Sequence, residues 1–406
     1  MNNFTNNQNT SNIKKLTIGV PVYKAKETLP TLLASVLMQS ISADTTIILA
    51  NDYPSDNGTY SYLKKLYPTL DITILDCEKN TGPGLARQRA LEACKTDWIT
   101  FMDADDVLMT PFALEELYNN ITPNCIEVQG AFLQEVAEGN LNSATKMQLM
   151  QSGQQIPPRT MPRNDIGHPW VFGRLYNVPF LRQQGIRFSK LRAMEDGELN
   201  WMIRMTIEGT PLQINLIDSP IYLWKTGSDH SITRIGIEEN GGEPLYNWDL
   251  CQVGATAAAI NAVKFCQRKN PFNGNVMRFA VEQMIGQYFT YIQCLERKPM
   301  FAKQNFFNAK RFYHSCYKDF EKNIDNDILK MMYTSQSAAR GQEMIGIIPE
   351  MTFFEFMDKI RTDEYGGRTE FDSIRKELPA WVHELDMKSG VLGEEGYIFT
   401  DNEEEQ

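Results

Sequence analysis

This 406-residue chain has no stretch approaching the roughly 18 consecutive apolar residues of a membrane span. Its N-terminus, Met1–Thr10, is polar and Asn-rich and lacks the apolar core of a secretory signal. Both absences predict a cytoplasmic chain with no integral membrane segment. Positive charge is in deficit: 40 Lys and Arg stand against 51 Asp and Glu, a formal net charge of −11. That excludes general affinity for nucleic acid or anionic membrane, which needs a basic surface. It leaves room for a local basic patch, or for an anionic ligand whose charge a metal neutralises. None of the seven cysteines lies in a CxxC pair, and the count is odd, so free, buried thiols in a reducing compartment are expected.

What is present is an ordinary globular composition, 42% hydrophobic and 22% charged. Domains run to about 100–200 residues, so two domains with tails are expected. Residues 1–13 read as a disordered arm. Leu16–Tyr23, Thr46–Ala50, Ile72–Leu75, Trp98–Met102 and Ile126–Gly130 read as strands. Leu29, Leu32, Leu33, Val36 and Leu37 fall on one helical face, and helices are expected over Tyr60–Leu66 and Gly84–Cys94. This alternation predicts a mostly parallel, Rossmann-like α/β sheet with flanking helices. Residues 140–165 read as loop, a helix starts near Glu195, and Leu212–Trp224 returns to strand character. Past the break at Gly241-Gly242-Glu243-Pro244 the β-branched runs stop. Ala255–Phe265, Phe279–Cys294, Phe306–Phe320 and Phe353–Arg361 read as amphipathic helices of a mainly α-helical C-terminal domain.

In parallel α/β sheets, ligands bind beyond the carboxyl ends of the strands. Four polar motifs sit at such ends: Pro21–Tyr23, Asp52, Asn80 and Asp103. The run Met102-Asp103-Ala104-Asp105-Asp106 gathers carboxylates that repel unless a cation balances them. Hard cations such as Mg²⁺ or Mn²⁺ take oxygen ligands, commonly one or two carboxylates plus phosphate oxygens. Asp106 reads as structural. Asp52 can accept from an imide N–H, which suits uracil or thymine better than adenine. Arg87 offers a planar fork to an anion, whereas Arg89 reads as solvated. His314 and His383 read as surface residues, and Phe306, Phe307, Phe312 and Tyr313 as helix core or interface.

Six segments in order resemble the family 2 glycosyltransferases. They are Ile18–Tyr23, Leu49-Ala50-Asn51-Asp52, Asn80–Ala90, Phe101–Asp106, Phe172–Tyr176 and Met194–Leu199. The resemblance covers roughly residues 14–236. Asn51 stands where the family has a first aspartate, Tyr53-Pro54 replaces a small turn, and Gln88 and Ala90 replace Asn and Gly. The resemblance implies the GT-A fold and inverting transfer of a sugar from a nucleotide-diphosphate sugar, a UDP-sugar in the first instance, to an acceptor hydroxyl. It implies that Pro21 and Tyr23 wall the base, with Asp52, Asn80, Arg87, Asp103 and Ala104 around the nucleotide-sugar. Asp105 and Asp103 would hold Mn²⁺ or Mg²⁺. Asp196 of the Glu195-Asp196 pair would be the general base. In the polar loop Trp224–Arg234, His230 is a further candidate metal ligand, and Arg234 or Lys225 a candidate phosphate holder. His168, beside Pro169-Trp170, is a candidate for the acceptor side.

The expected division is a 1–13 arm, a 14–240 catalytic domain, a 244–380 helical domain for acceptor binding or homo-oligomerisation, and a 381–406 acidic tail. Two other classes compete. A sugar nucleotidyltransferase would show a Gly-rich basic loop after the first strand, but Val22-Tyr23-Lys24-Ala25-Lys26 has two lysines and no glycine. A non-catalytic binding or assembly module would not need Asp103, Asp105 and Asp196 together. The acceptor stays open among glycan, teichoic acid-like polymer, lipid-linked sugar, protein and modified nucleic acid base.

Overall fold

Residues 14–137, 140–141, 155–156, 170–225, 236–270, 274–341 and 346–389 are described by a computed structural model of the chain. They divide into two compact units, Met1–Arg187 with Gly209–Ser228, and Phe188–Glu208 with Asp229–Gln406. The sequence places 14–240 in one domain, whereas this division groups residues 188–208 with the C-terminal helices.

The first unit is built on one sheet. Its strands are β1 (Leu16–Val22), β2 (Thr45–Asn51), β3 (Asp71–Leu75), β4 (Trp98–Phe101), β5 (Val107–Leu108), β6 (Cys125–Ala137), β7 (Asn140–Leu141), β8 (Gln155–Ile156), β9 (Arg174–Asn177) and β10 (Gln213–Lys225). The order is β3-β2-β1-β4-β9-β6-β10-β5. Strands β3, β2, β1 and β4 are mutually parallel, as are β6 and β10, and β9 runs against both neighbours. Helices α1 (Leu29–Leu37), α2 (Leu63–Leu66), α3 (Pro83–Ala93), α4 (Ala113–Asn119) and α5 (Val178–Gln184) complete the unit. The mostly parallel α/β sheet is thus as expected. Buried Leu16, Ile18, Val20, Val22, Ile47 and Leu49 form its core with Leu29, Leu32, Leu33 and Val36 of α1.

Proline is rare inside central strands, because it cannot donate to a ladder. Pro21 is tolerated for a local reason. The Gly19 carbonyl accepts from Met102 N–H and the Val22 carbonyl from Asp52 N–H, so alternate residues of β1 face β4 and β2. By that parity Pro21 faces the β4 side, where the ladder has ended at Gly19↔Phe101. The missing N–H falls where the fourth strand has already turned away into its acidic segment.

Gly130 in β6 marks the other close approach. A Cβ there would overlap the Ile221 side chain of β10, at the register shift between Leu216 and Tyr222. Gly130→Ala should destabilise the protein by about 1–3 kcal/mol, the range for overpacking a tight core. A thermal melt at unchanged or higher midpoint would contradict that.

The second unit is helical: α6 (Glu195–Ile207), α7 (Cys251–Lys269), α8 (Gly274–Arg297), α9 (Ala302–Phe312), α10 (Lys318–Glu321), α11 (Asn326–Ala339), α12 (Phe353–Thr362), α13 (Gly367–Lys376) and α14 (Ala380–Ser389). Asp249 is fully buried and is held by Arg375 and by the Gln304 amide at 2.6 Å, joining three helical segments. Phe307 and Phe312 are buried, as expected of a helix core. His314 is not the surface residue expected; it is half-buried and stacked on Tyr365 with ring centroids 4.9 Å apart. Residues 381–389, read as the start of the tail, lie within α14, where Val382 is buried. The 1–13 arm and residues 390–406 lie outside the described residues.

Candidate active site

Asp52 ends the β2 side of the sheet edge and is buried. Its Oδ1 accepts from the Thr81 hydroxyl at 2.7 Å and its Oδ2 from Gly82 N–H at 2.7 Å. Thr81 N–H lies 3.0 Å from both oxygens. The carboxylate therefore clamps the segment between β3 and α3, and its reach toward a base is shared with that work. Gly82, at φ 87°, then turns the chain into α3. Next to it Asn51 donates to Tyr53 O at 3.1 Å and to Asn57 Oδ1 at 2.8 Å, while accepting from Tyr53 N–H. The amide explains the departure from aspartate, since a carboxylate donates nothing. Asn80 is half-buried in the same segment.

Arg89 is not solvated in the way its position on α3 suggests. It donates to Asn51 O at 2.7 Å and Asp76 O at 3.0 Å, latching the carboxyl ends of β2 and β3. Tyr23, 49% exposed, meets Tyr53 edge-on at 5.3 Å. Lys24, held in the left-handed region at φ 51°, places Nζ 5.2 Å and 5.0 Å from the two ring centroids. Beside half-buried Pro21 this makes an aromatic and cationic wall. Tyr53 and Lys24 were missed from sequence. The signal was the bulky Tyr53-Pro54 in place of a small turn.

After β4, Asp103, Ala104 and Asp105 are half-buried and Asp106 is buried. Arg87 Nη2 donates to Asp103 Oδ1 at 2.7 Å. The guanidinium is itself an internal counter-ion for the acidic turn. Asp106 accepts from the Tyr222 hydroxyl at 2.5 Å and Lys225 N–H at 2.7 Å, and the same Tyr222 oxygen accepts from Asp103 N–H at 3.0 Å. Burial, then the carboxylates of Asp103 and Asp105, push Asp106 well above the usual carboxylate range. Burial foremost also raises Tyr222 well above its ordinary value. Asp106 is structural, tying the turn to the end of β10, and Tyr222 is the partner that sequence reasoning did not find.

Among the described residues no group of three or more His, Cys, Asp or Glu converges into a metal cage. Asp103 and Asp105 offer carboxylate oxygens from one accessible turn, while Asp106 is committed elsewhere. That fits a hard cation that takes one or two carboxylates and fills its shell with phosphate oxygens and water. His230 and Arg234, like His168, lie outside the described residues.

In the second unit Glu195 and Asp196 occupy the first turn of α6, where the helix dipole favours anions. Asp196 Oδ1 accepts from Gly197 N–H at 2.7 Å. Glu195 is buried, and so is Glu198, whose Oε2 accepts from the Ser189 hydroxyl at 2.7 Å and the Asn261 amide at 3.3 Å. Burial first, with Glu195 adding repulsion, raises Glu198 to about 8. The unfolded chain releases this proton near 4.5 and the native one near 8, so stability is lost as pH rises between those values. Glu198→Gln should therefore match the wild type below about pH 4.5 and be the more stable protein above about pH 8. Chemical denaturation across that range checks it; parallel curves would refute it.

Residues 17–183 match the family model described as Glycosyl transferase family 2. That segment is thus similar to the family 2 glycosyltransferases. The match begins one residue into β1 and ends inside α5, so it spans the sheet edge with Asp52, Arg87, Asp103 and Asp105. Over 109 residues the chain is 33% identical to the poly(ribitol-phosphate) beta-N-acetylglucosaminyltransferase TarP of Staphylococcus aureus, covering 26% of this chain and 33% of TarP. Over 116 residues it is 34% identical to a teichoic acid poly(glycerol phosphate) polymerase of Staphylococcus epidermidis, covering 26% of this chain and 15% of the polymerase. The matches thus span a third or less of these two relatives. The crystal structure of S. aureus TarS 1-349 in complex with UDP-GlcNAc superposes with a TM-score of 0.46 at 15% identity, covering 80% of this chain and 92% of that one. Among the described residues no helix is long and apolar enough to cross a membrane.

Proposed function

We propose that this chain transfers a sugar from a UDP-sugar to a hydroxyl of a polymer or glycan, with inversion at the anomeric carbon. The observation that carries the reading is the sheet edge. Half-exposed Asp103 and Asp105 and the Tyr23–Tyr53 wall lie at strand ends within the matched segment, and the buried Arg87 guanidinium reaches Asp103 from α3. An aromatic wall suits a base, and the acidic turn suits a cation-bound diphosphate. The relatives support the substrate class: TarP is a poly(ribitol-phosphate) beta-N-acetylglucosaminyltransferase, which makes N-acetylglucosamine the first sugar to test.

Asp105, with Asp103, would hold Mn²⁺ or Mg²⁺, which when bound supplies charge neutralisation for the leaving diphosphate. Pro21, Tyr23 and Tyr53 orient the base, and Asp52 and Arg89 keep the surrounding segments in place. Asp196 accepts the acceptor's hydroxyl proton as the oxygen bonds to the anomeric carbon. The bond from that carbon to the diphosphate oxygen breaks, and UDP departs with its electron pair. A hydroxyl is too weak an acid to ionise first, so proton transfer accompanies bond formation. The transition state carries oxocarbenium character.

The test is calorimetric binding and slow hydrolysis of UDP-glucose, UDP-N-acetylglucosamine, UDP-galactose, dTDP- and GDP-sugars with and without Mn²⁺. One UDP-sugar should bind in a metal-dependent manner, and Asp105→Ala should weaken that binding at least about tenfold, the loss of roughly one ligand's worth of charge stabilisation. Unchanged affinity in the variant would overturn the metal assignment, and no binding across the panel would overturn the donor class.

A further inference from the structure

The proposed base stands just beyond a turn that cannot hold its shape unaided. Met194, immediately before α6, has φ 68° and ψ 15°. A non-glycine residue in this left-handed region costs of order 1 kcal/mol or more and persists only where its surroundings over-determine it. Those surroundings come from α7. Gly254 lies against the Ala193 backbone: a Cβ added to it would sit 2.8 Å from the Ala193 carbonyl oxygen and 3.3 Å from the Ala193 Cβ. Glycine inside a helix costs roughly 1 kcal/mol against alanine. In a run otherwise rich in Ala255, Ala257, Ala258 and Ala259, its presence needs a packing reason, and the Ala193 carbonyl is that reason.

Two further ties reach the same turn. The Cys251 thiol lies 3.6 Å from Met194 Sδ. Asn261, two helical turns beyond Gly254, donates to Glu198 Oε2, which also receives the Ser189 hydroxyl. Ser189 Oγ in turn accepts Leu191 N–H at 3.3 Å, and Glu198 N–H donates to Met194 O at 3.0 Å. Segment 189–194 is therefore gripped along its length by α7 and by the first turn of α6.

We propose that α7 is a positioning element for the general base: Gly254, by lacking a side chain, and Asn261, through Glu198, set how the start of α6 presents the Asp196 carboxylate. This rests on the reading of Asp196 as base. It gives the region beyond Pro244 a share in the chemistry without any contact of its own with substrate. Misplacing a reacting group by about 1 Å can cost up to roughly 10²-fold in rate, so a single methyl at residue 254 has leverage.

The experiment follows UDP release from UDP-N-acetylglucosamine with Mn²⁺ in the full chain, with kcat and KM determined separately and melting temperatures recorded. Gly254→Ala should lower kcat about tenfold or more with KM within about twofold. The gain in helix propensity opposes the overlap with the Ala193 carbonyl, and the melting temperature separates a local shift of the turn from general unfolding. Glu198→Ala and Asn261→Ala should fall in the same direction. Glu198→Gln, which can accept both hydrogen bonds, should recover near-normal kcat at pH 7. Unchanged kcat in Gly254→Ala and Glu198→Ala overturns the proposal, as does a kcat loss matched by KM and melting temperature. Should Asp196→Asn hydrolyse the donor at the wild-type rate, the base assignment falls and this role with it. An inactive Asp196→Asn beside a fully active Gly254→Ala removes the role of α7 alone.

Discussion

Asp196→Asn is expected to bind donor normally and to lose about 10²- to 10⁴-fold in transfer, the range that a positioned acid or base contributes. The substitution is nearly isosteric. The amide oxygen can still accept from Gly197 N–H, as Asp196 Oδ1 does at 2.7 Å. What disappears is the charge and the capacity to take a proton. The loss of charge at a helix start costs only about 0.3–1 kcal/mol of stability. That is small against the roughly 3–5 kcal/mol of barrier that a 10²- to 10⁴-fold rate loss represents. The two effects separate cleanly: UDP affinity and melting temperature should barely move while single-turnover transfer collapses. Glu195 is a poor substitute base because it is buried beside its neighbour. A variant that turns over at the wild-type rate would hand the base role to another carboxylate.

Much of the sheet could be read from sequence, because parallel strands buried on both faces leave continuous β-branched runs such as Leu16–Val22 and Thr45–Asn51. Strand β9 left no such trace: its four residues, Arg174–Asn177, include a charge and an amide, and the strand is defined by its two antiparallel partners. Helix α11 was missed for a different reason: its large apolar residues, Ile328, Leu329, Met331, Met332 and Tyr333, bunch in its first half instead of recurring along its length, and Leu329 alone is buried. At the site, the residue types that carry chemistry were visible, and the residues that hold them were not. Asp106 pointed nowhere in sequence until Tyr222, 116 positions later, supplied its partner. Arg89 looked solvated because its partners are backbone carbonyls, which no motif records. Gly254 could not be valued before Ala193 was seen against it.

Arg174→Leu is expected to destabilise the first unit by about 3–5 kcal/mol, the usual loss when one partner of a buried ion pair is removed. Arg174 of β9 and Glu127 of β6 are both 0% exposed and pair directly. Arg174 Nε also donates to Trp170 O at 2.7 Å. Removing the guanidinium strands a carboxylate where water cannot reach it, a large share of a typical total stability of about 5–15 kcal/mol. The double variant Glu127→Leu with Arg174→Met strands nothing, and by the same reasoning should lie near or above wild-type stability. Chemical denaturation of the three proteins decides this; a single variant as stable as the double one would refute it. The pair's purpose is then legible in what the double variant loses. Strand β9 follows Phe172, which stacks on Tyr222 at 4.5 Å, and Tyr222 holds both Asp103 N–H and Asp106. A double variant that is stable but binds UDP-sugar more weakly would mean that the ion pair fixes the setting of the acidic turn. One that is stable and binds normally would mean that it serves the packing of β6 against β9 alone.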